Sequence, residues 1–395
     1  MARRGWTSTL VSEICRLQNG RGFKPEEWDT RGLPIIRIQN LNGGTQYNFF
    51  SGTPEEDWLV YPGQMLFAWA GTKGVSFGPT IWKGEKGVLN QHIFKVFPRS
   101  RIDEKWLYYC LQRVTKRIES KAHGFKATLV HVKKSEIDNQ VVLLPPLAEQ
   151  RLISTALTTW DRAIDTIDRA IQNSEAKQKA LMQRLFSPFG KPFRRLPLRE
   201  IASVNRYSLD NKTPSNYSFR YISLSDVQNG RIATSLETHV FGSAPSRAQR
   251  KIRTGDILMS TVRPNLLGFA RITDSHADCI ASTGFATLST STGFDPAYLY
   301  HYLFSAHIRG QLNALVVGSN YPAINPSDVE NLVVYCPELS QQNMIGRILD
   351  CAAAEINMLG RYREQLNLEK TALMQQLLSG KRRIKIDELL VEVIA

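Results

Sequence analysis

The sequence predicts an α+β protein. It has two mixed, mainly β domains joined by two long antiparallel coiled-coil helices, with an internal pseudo-twofold repeat. Three features predict this: words repeated half a chain apart, a heptad seam at matched positions in both copies, and short strand-like runs before each seam.

The repeat runs through the whole chain. KALMQRLFS at 179–187 returns as TALMQQLLSG at 371–380, a shift of 192. The same shift aligns Pro145 with Pro337, Leu147 with Leu339, Gln150 with Gln342, Gly63 with Gly255 and Asp103 with Asp295. Nearer each start the shift is about 186: Asn40-Leu41 meets Asp226-Val227, and Gly44 meets Gly230. An insertion of five or six residues in the first half, between about 44 and 63, would explain the change. The segments read as a first domain over 1–145, a central helix segment over 146–190, a second domain over 191–336, and a C-terminal helix and tail over 337–395.

Within the domains, LPIIRIQNL, GQMLFAWA and HIFKVFP read as strands, as do RYISLSDV, GDILMST and GFATLST in the second copy. β-Branched and aromatic residues fill them, and Gly, Pro and Asn punctuate them. A helix is expected around 104–120 and another around 296–313. Asp103 and Asp295, at matched places before those helices, suit capping.

The first seam is Ile153, Leu157, Trp160, Ile164, Ile167 and Ile171, then Leu181 and Leu185, with Ser174 and Gln178 in the two intervening places. Its spacing alternates four and three, the heptad period. The second is Ile345, Leu349, Ala352, Ile356 and Leu359, then Arg363, Leu366, Lys370, Leu373 and Leu377. Pro145-Pro146 blocks helix upstream; Ser187-Pro188 and Gly190 stop it downstream; Gly380 suits the C′ place of the second helix. From Glu149 to Ser187 an ideal helix spans roughly 58 Å. A seam needs a partner. It is met either by the helix's own domain or by the other helix, which within one chain must run antiparallel and sets the two domains at opposite ends of a rod.

Charge points to a partner. The net charge is +14, from 50 basic and 36 acidic residues. The first domain holds 21 basic against 13 acidic residues and the second 15 against 10, while the two helix segments are near balance. A polyanion would meet the domains. No apolar run is long enough to span a bilayer, and the N-terminus lacks an export core. The five cysteines are scattered and form no CxxC pair, which suits a reducing, cytoplasmic setting without disulfides or zinc. The sequence contains no GxxxxGK[ST], HExxH or GxSxG. The seven histidines are dispersed, and His301 and His307 read as ordinary surface or core residues. Two basic domains, two seam helices and no recognisable active site suggest a two-headed binder of separated DNA patches.

LPPLAEQRLI, a seam helix ending KALMQRLFS, a second domain and a second helix ending TALMQQLLSG together resemble the specificity subunit of type I restriction–modification systems. The resemblance covers essentially the whole chain. It implies two target recognition domains, each reading one half of a bipartite double-stranded DNA sequence. It implies helices that space them and dock two methyltransferase subunits, with restriction–translocase subunits joining that core and no membrane involved. S-Adenosylmethionine, ATP and Mg would then reside on partner subunits, with no cofactor, metal or catalytic residue on this chain. One departure is PELSQQNMI where the first copy has PPLAEQRLI, so the two helix starts need not make the same contacts. A stand-alone two-headed DNA-binding regulator is the alternative.

Base edges are read by paired donors and acceptors, Arg for guanine and Asn or Gln for adenine. Candidates on loops of the first domain are Arg37, Gln39, Asn40, Thr72, Lys73, Gln91, His92 and Lys126. In the second they are Ser225, Asp226, Arg263, Asn265, Asn320 and Tyr321. Lys24 and Arg247 suit phosphate contact or solvent instead.

Overall fold

A computed structural model describes residues 5–121, 129–188, 192–228, 230–316 and 322–384. Packing divides the chain into two compact units. The first comprises 1–167 and 362–395; the second comprises 168–361. Each unit therefore combines one β-rich domain with one half of each long helix.

The two domains share the topology of their two four-stranded sheets. In the first, one four-stranded sheet runs Cys15–Asn19, Ile93–Pro98, Met65–Ala68, Gly78–Ile81; another runs Phe49–Phe50, Leu33–Ile36, Gly87–Leu89, Leu59–Val60. The second domain repeats these as Ala202–Val204, Phe285–Thr290, Ile257–Ser260, Phe269–Arg271 and as Thr238–Val240, Ser218–Ile222, Ile280–Ser282, Ala248–Lys251. A two-stranded ribbon recurs too, Thr7–Leu10 with Val141–Leu144 and Arg194–Pro197 with Val333–Cys336. The extra residues lie in the second copy, not the first: 19 positions separate Gly44 from Gly63, and 25 separate Gly230 from Gly255.

Two expected elements end early. The strand read in LPIIRIQNL covers Leu33–Ile36 and gives way to a helical turn, Ile38–Leu41, because Asn40 caps it. The equivalent run RYISLSDV stops at Ile222 before the turn Leu224–Asp226. The helix expected around 104–120 spans Glu104–Lys121. Its counterpart is broken into Pro296–Leu303 and Ala306–Leu315, because the Ser305 hydroxyl accepts the Ile308 N–H and starts a new helix.

The long helices span Leu147–Phe186 and Leu339–Leu378. Their starts are built alike despite the differing words. Gln150 Nε2 donates to the Pro145 carbonyl at 2.9 Å, while its Oε1 accepts the Asp103 N–H at 2.8 Å. Gln342 makes the same bonds to Pro337 and Asp295, at 2.8 and 3.1 Å. Asp103 and Asp295 then cap the following helices, accepting the N–H groups of Trp106 and Tyr298. The helix starts differ one residue earlier. Glu149 is buried and accepts the Trp6 indole N–H at 2.8 Å and both arms of Arg383, whereas its counterpart Gln341 is exposed.

Every predicted seam place is buried or half-buried except Arg363, which is exposed. In the first unit Ile153 and Leu157 meet Met374, Leu377 and Leu378 in one core with Trp106, Leu107 and Val114. The seam thus serves the other helix and the domain together. Lys370 pairs with Asp161 and Arg383 with Glu149, so the helices run antiparallel there. In the second unit Leu181, Met182, Leu185 and Phe186 join Ile345 and Leu349, and Ser174 bonds Glu355, again antiparallel. Full burial of a Leu or Ile contributes about 1.5–3 kcal/mol. Gly380, at φ +61°, takes the C′ place, and Arg113 donates to the Leu378 carbonyl at 2.7 Å.

Each domain is also tied to its helices by a polar cluster. His301, 4% exposed, bonds Asp350 at 2.8 Å, and Arg271 grips the same carboxylate with two nitrogens at 3.0 and 3.1 Å. At the place 192 residues before His301, the Tyr109 hydroxyl donates to Asp161 instead.

Candidate nucleic-acid interface

In the first domain the main chain gathers the predicted loops into one strip. Ile35 and Ile36 pair in parallel with Val88 and Leu89, and the Asn90 N–H donates to the Ile36 carbonyl at 3.0 Å. This sets Gln91 and His92 beside the corner carrying Arg37, Gln39 and Asn40. The Trp69 N–H donates to the His92 carbonyl at 3.0 Å, and Leu129–His131 pairs antiparallel with Ala70–Thr72. Thr72 and Lys73 thereby join the strip. Lys126 lies outside the described residues, in the segment leading into Leu129. Loops held by such bonds keep their backbone groups satisfied and their side chains available.

The second domain rebuilds the same frame. Tyr221 and Ile222 pair in parallel with Ile280 and Ala281. The Thr261 N–H donates to the Gly284 carbonyl at 2.9 Å, the counterpart of Trp69 to His92. The Ile324 N–H donates to the Thr261 carbonyl at 2.9 Å, as Val132 does to Trp69 at 3.0 Å. At Gly284 a Cβ would come within 2.8 Å of the Leu224 side chain, which would have to shift to admit it. Arg263 and Asn265 sit on the adjoining loop, where the Arg263 N–H donates to the Pro322 carbonyl at 2.7 Å. Asn320 and Tyr321 lie outside the described residues.

The frame sorts the candidates by what their side chains can offer. Asn40 is buried; its Oδ1 accepts the Arg37 N–H and its amide donates to the Gly44 and Gln46 carbonyls at 3.0 and 2.9 Å. Asp226, its counterpart, accepts from the Ser223 N–H and hydroxyl at 2.8 and 2.6 Å. Both hold their corners in shape, and their neighbours Gln39 and Ser225 are the exposed members. Arg37 is half-buried, bonded to Asn48 and stacked 5.4 Å above Trp28. Lys73 and Asn265 are exposed at equivalent loop positions, and Gln91 and Arg263 are exposed as well. Thr72 is half-buried, its N–H held by the Ser76 hydroxyl at 2.7 Å. Arg263 adopts φ +48°, where its counterpart is Gly71. Ser225 and Asp226 also border a cleft of about 1090 Å³ in the second unit, walled by Lys179, Gln183, Arg231, Tyr300 and Asn357.

Two residues at the strip were missed by sequence reasoning. The Trp69 ring lies 4.7 Å from His92 and 4.9 Å from His131. Burial, and then the neighbouring His131, hold the His92 imidazole below its ordinary pKa and so favour the neutral ring. The signal was available: a shift of 192 lands Trp69 and His131 on Thr261 and Ala323, large residues against small ones beside predicted loops.

Among the described residues, no group of three or more His, Cys, Asp or Glu side chains is arranged to hold a metal ion. Nor is any described helix long and apolar enough to cross a membrane.

A fold that builds one β-rich domain and its share of two long helices twice defines a duplicated two-domain protein. The family profile "type I restriction modification DNA specificity domain" matches residues 3–174 and again 193–367, and the chain belongs to that family. The chain is 24% identical to the MjaVIII specificity subunit of Methanocaldococcus jannaschii over 375 residues, covering 89% of this chain and 86% of that one. It is 21% identical to the EcoKI specificity subunit of Escherichia coli over 389 residues, covering 87% and 81%. The fold matches the crystal structure of the S subunit from M. genitalium with a TM-score of 0.56 at 14% identity, over 97% of both chains. A structure described as explaining complex assembly and conformational transition of the type I R-M system also matches, with a TM-score of 0.56 at 15% identity over 96% of this chain and 98% of that one.

Proposed function

We propose that this chain is the DNA-recognition subunit of a type I restriction–modification complex and reads a bipartite target, one half with each domain. One observation carries the reading. The same loop frame is built twice from matching main-chain bonds, yet bears different side chains: Gln39 against Ser225 and Lys73 against Asn265 at exposed places, and Trp69 against Thr261 at a half-buried one. A frame kept while its surface changes suits two readers of different words on one plan. The basic excess in both domains suits the phosphate contacts such reading needs.

In this reading the chain performs no chemistry itself. Methyltransferase subunits dock beside the paired helices and carry S-adenosylmethionine, and restriction subunits carry ATP and Mg. The complex acts in the cytoplasm, where its DNA is. The test is to reconstitute the chain with its cognate methyltransferase subunit and map methylated sites on genomic DNA. A two-part motif with an unread gap, absent without this chain, is expected. DNA binding by this chain without effect on any methylation pattern would favour a stand-alone regulator.

A further inference from the structure

The shared frame isolates one feature peculiar to the first domain. Trp69, His92 and His131 form a three-ring cluster, the two imidazoles 6.2 Å apart and each within 5 Å of the indole. The indole N–H donates to Asn19 Oδ1 at 3.2 Å, which fixes the ring's orientation. His131 is exposed, and Trp69 and His92 are half-buried.

The fold itself does not require these rings. The second domain closes the same hydrogen bonds with Thr261, Gly284 and Ala323 at the three places. His92 also holds φ +74°, a left-handed conformation that L side chains rarely adopt. Simple core packing would explain Trp69, which lies 5.9 Å from Phe94, but not an exposed His131 or a strained His92. The cluster adjoins Gln91, Thr72 and Lys73, the candidates that the same frame gathers.

We propose that Trp69, His92 and His131 are specificity-determining residues of the first domain, a ring cluster that contacts base edges in the half-site this domain reads. The proposal rests on the DNA-reading function above. The indole supplies apolar contact to a base edge, and each imidazole can donate or accept one hydrogen bond there.

The test installs the second domain's residues in the first, as W69T, H92G and H131A, singly and together, in the complex with its methyltransferase subunit. Methylated motifs are mapped for each, and a melting curve checks folding. One half of the motif should relax or change at one or more positions, with the other half untouched. An unchanged motif in folded variants overturns the proposal alone. A uniform loss on all DNA sequences also overturns it, since that marks a phosphate or structural role. If the triple variant melts early, H131A decides the matter, because its side chain is exposed. If the native complex methylates no bipartite motif, the underlying reading falls and takes the proposal with it.

Discussion

The Trp6 indole N–H donates to the Glu149 carboxylate at 2.8 Å, across 143 positions of chain. Arg383 holds the same carboxylate from the other side. One buried acid thus binds an early segment, the start of the central helix and the segment after the second helix. Glu149→Ala leaves the indole N–H buried without an acceptor, which costs about 1–3 kcal/mol. Arg383→Ala should cost less, because half of that side chain is in water. Urea unfolding followed by tryptophan fluorescence measures both, and equal effects would refute the assigned hierarchy.

The Asp350 cluster gives stability a pH dependence. Burial pushes this carboxyl up, but hydrogen bonds from His301 and Arg271 outweigh it, so its folded pKa lies below the ordinary value. A depressed acid contributes stability that is present above the unfolded value, about 3.9, and is lost as pH falls through the folded one. Asp350→Asn should therefore destabilise at neutral pH, by about 1 kcal/mol after discounting for its partial exposure. The gap from the native protein should narrow as pH falls below about 4. Urea midpoints at a series of pH values measure this; a gap that widens in acid would contradict it.

Arg263 offers a clean probe of base reading. Arg and Ala share the cost of its left-handed backbone, so Arg263→Ala changes the guanidinium and not the strain. It should relax specificity at one base position and cost about 1–3 kcal/mol on the cognate site. Competition binding of the assembled complex against single-base variants of its site measures this. Equal weakening on every sequence would assign Arg263 to a phosphate.

The capping residues and their exposed neighbours should separate. Asn40→Ala and Asp226→Ala each remove a buried or half-buried cap and should cost about 1–2 kcal/mol of stability. Gln39→Ala and Ser225→Ala should leave the melting temperature nearly unchanged and alter DNA preference. Calorimetry alongside competition binding measures both properties. A Gln39 variant that melts early with its preference intact would reverse the assignment.

Much of this architecture was legible because it is written in periods. The heptad seams, the proline stops and the words repeated at 192 appear as the two long helices and two matched domains. The capping roles of Asp103 and Asp295 followed from their place before a helix. Local competition set the errors. Ser305 broke a helix whose apolar pattern continued, and Asn40 turned a strand whose β-branched run looked unbroken. The loop strip was only partly legible. Its candidate loops were visible as glycine and polar clusters, but the contact of Trp69 with His92 and His131 depends on pairing between distant strands. Single-loop reasoning has no access to such pairing.

The first unit needs residues 362–384, which follow the whole of the second unit in the chain. On the ribosome, the domain made first is therefore completed last. The second unit can close while Ile153 and Leu157 still wait for Met374 and Leu377. Until then Ile153 and Leu157 lack their helix partners, and a messenger cut short after residue 361 would leave the first unit without them.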